Sequence, residues 1–247
     1  SQVGQFSLET ETAGGYPLAS SNATDKCAMA LAIFDLDNTL IAGDSDHSWG
    51  QFLVSEKRVD AEQFEQINDR FYADYVAGNL DIFAYLAFSL RPLTEIPAPE
   101  LEQLHRKFMQ TVITPLQLPK AHALLQKHRD AGDRLLIISA TNRFVIEPIC
   151  QSLGVTELLA SEPEKVNGRY TGKVFGTPTY QQGKVIRLQE WLAAEKESLE
   201  GSWFYSDSIN DLPLLLEVDN PVAVDPCEKL KREATERQWP IISLRNS

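Results

Sequence analysis

The chain has 247 residues and a net charge of −12, which excludes a protein that tracks nucleic acid or an anionic membrane through a basic surface. With 43% hydrophobic residues it can bury a full core, and no apolar run reaches the length needed to span a bilayer. Cys27, Cys150 and Cys227 form no CxxC pair and His47, His105, His122 and His128 lack metal-ligand spacing, so the chain reads as cytoplasmic, with reduced thiols, no zinc site, and histidines that pack or lie at the surface.

Residues 1–28 form a polar leader rich in Ser, Gly, Thr and Glu. It has neither a basic n-region nor an apolar h-region, so it is expected to be loosely held rather than a secretory signal. Ser21-Asn22-Ala23 resembles the scar of tag removal, which would make part of the leader vector-derived. Ala30 to Phe34 is then a short apolar run that ends in acid, as a buried parallel strand does when its carboxyl end opens into a site. Asp35 and Asp37 lie two apart and project to the same side of an extended backbone. Their mutual repulsion calls for a cation, of which Mg²⁺ is the natural choice, and a carboxylate at a strand end can attack phosphorus. By itself the stretch could equally be an acidic turn.

From Asp44 the pattern becomes helical. One helix spans Ser45 to Val54, and a second is capped by Asp60 and closed by Gly78-Asn79. A third covers Leu80 to Leu90 and ends at a break marked by Pro92, Pro97 and Pro99, and a fourth starts at Pro99. The insert 44–118 is thus expected to be all-helical, with Phe64, Phe71, Tyr72, Phe83, Tyr85 and Phe88 in its core. Beyond Pro119, helices and strands alternate. Helices are expected over 121–131, 143–153, 182–194, 209–218 and 228–236. Strands are expected over 134–138, 157–160, 203–205, 222–224 and 241–242, with an Asn167-Gly168 hairpin between. The fold class is therefore α/β: a Rossmann-like parallel sheet with helices on both faces, formed by 29–43 and 119–247, with the helical cap 44–118 inserted.

In such sheets ligands bind beyond the carboxyl ends of the strands. Taking strand ends alone selects Asp35 and Asp37, Ser139 and Thr141, and Asp207 with Asn210 and Asp211, with Lys184 joining from a helix start and no bulky group among them. These parts suit phosphoryl transfer. A carboxylate attacks phosphorus, Mg²⁺ and Lys184 spread the charge on the equatorial oxygens, and Ser139 holds one of them. Asp37 gives a proton to the leaving alcohol and takes one from water, while Asp35, Asp207 and a backbone carbonyl suit the metal. Singly, each residue has an ordinary reading: Ser139 as a helix N-cap, Lys184 as a solvated lysine, Asp207 and Asp211 as helix-start acids.

DLDNTL (35–40), ISAT (138–141), GK (183–184) and SDSIND (206–211) resemble, in order, the four motifs of the haloacid dehalogenase superfamily of phosphatases. The insert after the first motif resembles the cap of its phosphoserine-phosphatase-like subfamily IB, as does NPVAVDP (220–226). The resemblance covers residue 30 to the end. It implies Asp35 as nucleophile, Asp37 as general acid/base, Ser139, Lys184 and Asn210 at the phosphate, Asp35, Asp207 and the Asp37 carbonyl on Mg²⁺, and Asp211 as support. Phosphoserine phosphatases commonly have Gly where this chain has Ser206, and a cap Arg for the substrate carboxylate. Here Ala, Phe and Ser stand where that Arg is sought, and Arg91 falls later. Asp44 and Asp46 follow the first motif. Members of the subgroup that this chain resembles are also assigned to histidinol phosphate, and acids without a matched Arg suit such a cationic substrate; the resemblance therefore implies a small-molecule phosphomonoester, histidinol phosphate, with phosphoserine as the alternative. A cap would close over the site, hinged near Gly43 and Thr114–Pro119. A mutase, or a binding module that keeps the fold without the chemistry, are the competing functions.

Overall fold

The structure, a computed structural model, describes residues 29–245; the leader and Cys27 lie outside them. Strand β1 (Leu31–Phe34) lies near the middle of a seven-stranded sheet with β2 (Arg134–Asn142), β3 (Leu158–Val166), β4 (Arg169–Phe175), β5 (Trp203–Ser206), β6 (Asn220–Val224) and β7 (Ile241–Ile242). The order is β4-β3-β2-β1-β5-β6-β7. All neighbours run parallel except β3 and β4, which are antiparallel. The chain leaves β1 towards β2 on one side and β5 on the other, so the order reverses at β1 and opens a crevice above its carboxyl end.

The two-residue period of the strands divides the core. Ala32 and Phe34 of β1, with Ile137, Tyr205 and Val222, face one apolar cluster. It is covered by α1 (Ser45–Ser55), α3 (Ile82–Glu95), α4 (Ala98–Phe108), α5 (Pro119–Asp130) and α6 (Arg143–Ser152). Leu31 and Ile33, with Leu136, Ile138 and Phe204, face the other cluster. That side is covered by α7 (Gln182–Glu195), the short α8 (Leu212–Leu215) and α9 (Glu228–Arg237). This is why these strands read as unbroken apolar runs.

Of the helices after β1, α1 and α4 belong to the main core through Trp49, Phe52, Leu53, Leu101 and Phe108. By contrast α2 (Ala61–Ala77) buries only Asn68 and stands away from it. Asp60 caps α2 through the Gln63 N–H, and Gly78 ends it at φ 82°, a left-handed turn suited to glycine. The segments entering and leaving this region pair through an Ile41–Gln117 bridge. Gly43 has ordinary backbone angles there, as it is not among the positive-φ residues. Its small size serves close approach instead, since a Cβ would lie 3.0 Å from the Leu116 side chain.

Several boundaries differ from the sequence expectation. Helix α3 runs through Pro92 to Glu95: the proline falls in the last turn, where it removes one backbone bond, and its ring is buried. A π-helical turn (Met109–Ile113) follows α4. Strand β3 continues to Val166 because β4 pairs with it, turning at Asn167 (φ 51°) and Gly168 (φ 76°). The helix expected over 209–218 is a 3₁₀ turn followed by four residues of α8.

Candidate active site

Asp35 leaves β1 with 2% exposure, and its N–H donates to the Tyr205 carbonyl (2.9 Å). Lys184, in the first turn of α7, reaches across the sheet. Its Nζ lies 3.1 Å from Asp35 Oδ1, 2.8 Å from Asp211 Oδ1 and 3.2 Å from the Ile138 carbonyl. Burial alone would strip this ammonium of its proton, but the carboxylates of Asp211 and Asp35 outweigh it and hold the lysine above its ordinary range. Asp211 is steadied by Ser206 Oγ, which donates to Oδ2 (2.6 Å). Asp207 follows β5 and accepts from Thr39 Oγ1 (2.9 Å).

One lysine faces three buried acids on this floor. Asp35 is raised by burial, only partly offset by Lys184, and Asp207 is raised well above the ordinary range by burial and by Asp35 beside it. Asp211 is pushed up to about 6 by burial against the pull of Lys184. Asp35 Oδ2 is buried and has no hydrogen-bond partner in the protein. An orphaned carboxylate oxygen beside a second carboxylate, all hard oxygen donors, fits Mg²⁺. Among the described residues no group of three or more His, Cys, Asp or Glu is gathered as a metal site.

Asp37 sits beside this floor with both oxygens engaged: Ser45 N–H donates to Oδ1 (2.6 Å) and Thr141 Oγ1 to Oδ2 (2.8 Å). Burial, then the nearby Asp44 charge, push it up to about 7. Ser139 is buried, its Oγ accepts from Thr141 N–H (3.2 Å), and its carbonyl accepts from Thr179 Oγ1. Thr141, which the sequence singles out, and Thr39, which it does not, are thus both site residues; Thr39 lies in the turn after β1 and carries no charge to mark it.

Above the floor is a narrow cavity of about 40 Å³. Asp35, Asp37, Ser139 and Thr141 line it from below. Asp44, Asp46 and His47 of the α1 start, Phe71, Tyr72 and Tyr75 of α2, and Tyr85 of α3 line it from above. Bulky groups therefore do meet the strand ends: Phe71 packs with Tyr85 and Phe88 between α2 and α3, as expected, and Phe71, Tyr72 and Tyr85 also line the cavity, while Phe83 is 61% exposed. Asp44 caps α1 by accepting the His47 N–H (2.8 Å). Asp46 is 9% exposed and hydrogen-bonded by Tyr85. Burial and neighbouring acids push Asp44 and Asp46 each up to about 7, Asp46 against the Tyr85 hydrogen bond. His47, expected to be a packing or surface residue, stacks on Tyr72 and bonds Asp69 (2.7 Å).

Two expected site residues lie elsewhere. Arg91 points away from the cavity: its side chain is 77% exposed and pairs with Glu95 one turn along α3. Asn210, expected near the phosphate, has its amide engaged within the protein. Its Nδ2 donates to the Tyr75 carbonyl (2.8 Å), and its Oδ1 accepts from Tyr180 and Gln181 (3.2 and 3.1 Å). A wider cavity of about 650 Å³ between α4, α6 and β3 holds none of the expected site residues.

The profile of haloacid dehalogenase-like hydrolases matches residues 32–216. A histidinol-phosphatase of Neisseria meningitidis serogroup C (strain 8013) is 48% identical over 219 residues, which are 87% of this chain and 99% of that protein. The crystal structure of a protein of unknown function from Bordetella pertussis Tohama I superposes with a TM-score of 0.83 at 39% identity, over 88% of this chain and 99% of that one. A phosphoserine phosphatase carrying an analogue of a phospho-aspartyl intermediate shares the fold, with a TM-score of 0.65 at 18% identity over 89% of this chain and 95% of that one.

Proposed function

The chain belongs to the haloacid dehalogenase-like hydrolases and is a phosphatase of that family, and from this premise we propose that it hydrolyses histidinol phosphate through an aspartyl-phosphate, with Mg²⁺ as cofactor. One observation carries the choice of substrate. The upper half of the cavity presents Asp44, Asp46 and the rings of Tyr72, Tyr75 and Tyr85, and among the described residues neither Arg nor Lys lines it. A leaving group with an ammonium and an imidazole finds carboxylates for its charge and aromatic faces for its ring. A carboxylate-bearing leaving group such as that of phosphoserine would be repelled, and Arg91 is turned to solvent.

In this reading the Asp35 carboxylate attacks phosphorus in line with the departing oxygen. Lys184 and Ser139 bind the equatorial oxygens. Asp35, Asp207 and the Asp37 carbonyl would hold Mg²⁺, which supplies the positive charge that lets two anions approach each other. Asp37, which burial lifts to about 7 so that a good share of it carries a proton near neutral pH, gives that proton to the leaving alkoxide. The resulting carboxylate then takes a proton from the water that opens the aspartyl-phosphate, which returns Asp35 and Asp37 to their starting states and frees phosphate. Ser45 and Thr141 hold Asp37 in place for both transfers. The rings above exclude other water.

The test is phosphate release from histidinol phosphate, phosphoserine and p-nitrophenyl phosphate, with Mg²⁺ or with EDTA. The expected result is a kcat/KM for histidinol phosphate at least about tenfold above phosphoserine, as an unpaired buried charge costs at least that much, and loss of release in EDTA. A preference for phosphoserine would overturn the substrate, and full activity in EDTA would overturn the metal.

A further inference from the structure

We propose that Gln181 is a positioning residue whose side-chain amide holds the carboxyl end of α2, and with it Tyr75, closed over the phosphoryl site. This rests on the phosphatase chemistry of the floor but not on which ester is the substrate.

Three side chains from the sheet side meet the last turn of α2. Asn210 Nδ2 donates to the carbonyl of Tyr75 (2.8 Å), Lys229 Nζ to that of Ala77 (3.0 Å) and Gln181 Nε2 to that of Gly78 (3.2 Å). A helix leaves its last carbonyls short of partners; here the sheet side supplies donors to those of Ala77 and Gly78, and a second donor to that of Tyr75, which also accepts the Gly78 N–H (3.1 Å). Gln181 is the hub of this group. Besides Gly78, its Nε2 lies 3.1 Å from Tyr180 Oη and 3.1 Å from Asn210 Oδ1, so it ties Asn210 to the same helix end that Asn210 itself grips.

The backbone of Gln181 gives the second observation. It sits at φ 51°, ψ −122°, a conformation that side chains rarely adopt and that persists where surroundings over-determine it. A turn that only had to connect would take glycine there. The turn is also tight: a Cβ on Gly183 would lie 2.1 Å from the Pro178 carbonyl oxygen. The same short segment carries Thr179, bonded to the Ser139 carbonyl, and Lys184, paired with Asp35 and Asp211. Gln181 is therefore rigidly linked to the groups that bind phosphate at one end and to α2 at the other. Tyr75, at the gripped turn, is packed near Tyr180 (ring centroids 6.3 Å apart) and lines the cavity above Asp35.

The test uses the full chain with Gln181→Gly, which keeps the positive φ free of strain and removes the amide, and Gln181→Glu, which keeps the shape and removes the donors. Amide hydrogen exchange and p-nitrophenyl phosphate hydrolysis with Mg²⁺ are read for each. Exchange at residues 75–80 is expected to quicken about tenfold in both variants, the scale of one to two lost hydrogen bonds, while the sheet amides stay protected. KM is expected to rise by a similar factor, with kcat changed less, because Asp35, Asp37 and Lys184 keep their places. Unchanged exchange at 75–80 in Gln181→Gly would overturn the proposal. So would a rise spread evenly over the chain, which marks a role in general stability, or wild-type protection in Gln181→Glu, which shows that the donors do not matter.

Discussion

The floor of the cavity is made by strand ends and its roof by helix faces. On the floor, Phe34 pairs with Ile137 on one side and Tyr205 on the other, so Asp35 comes level with Ile138 and Ser206, and Ser139 and Asp207 follow one residue further along their strands. In the roof, Asp46, Tyr75 and Tyr85 come from three helices and meet only because of how those helices cross. The floor spends its polar groups on one another: Lys184 on Asp35 and Asp211, Thr39 on Asp207, Thr141 on Asp37. The roof holds acids whose partners in the protein are neutral groups. A surface whose groups hold one another in place fixes a reaction, even where, as at Asp35 Oδ2, one oxygen is left without a partner, and one that meets its acids only with neutral groups selects what comes to match them.

The sharpest way to break this contrast is at the floor. Asp35→Asn keeps the shape and removes the nucleophile, so phosphate release from every ester should fall by about a thousandfold or more, with circular dichroism unchanged. Release within about tenfold of wild type would remove Asp35 from the chemistry.

The roof should show itself in the pH dependence of stability. Burial and the Asp37 charge, against the Tyr85 hydrogen bond, raise Asp46 from 3.8 to about 7, so the folded chain holds this proton more tightly than the unfolded one. The contribution is full below pH 3.8 and is lost as pH rises through about 7. Between pH 6 and pH 8, without divalent ions, the urea midpoint should drop, Asp46 accounting for on the order of 1 kcal/mol. Asp46→Asn should flatten that drop. An identical slope in the variant would mean that Asp46 carries no unmatched charge. At the small end, Arg91→Ala should change phosphate release by less than about twofold, because exposed pairs of this kind contribute little. A larger loss would bring a carboxylate substrate back into contention.

The floor was legible in the sequence and the roof was not, for a physical reason. Asp35 and Ser139 follow an apolar run directly and Asp207 follows one after Ser206, and position along a strand fixes where such a residue lies and which way it points. Helical periodicity gives a face but not what the face meets, so Phe71, Tyr72 and Tyr85 read as core, and Arg91, on the same helix as Tyr85, could not be told from a cavity residue. Asn210 failed differently. Its place in SDSIND is local, but its partner is the Tyr75 carbonyl, 135 residues away in sequence, and no local pattern encodes such a contact. Pro92 reads as a break because sequence shows the missing N–H but not that it falls in a helix's last turn.

The three groups that grip α2 all take main-chain carbonyls, those of Tyr75, Ala77 and Gly78. Every amino acid carries that acceptor, so the grip is indifferent to what the helix displays on its other faces. Mutational drift in α2 can therefore rework the ring and acid content of the roof while closure is retained. A protein built this way can try new leaving groups one side chain at a time without first re-inventing its door.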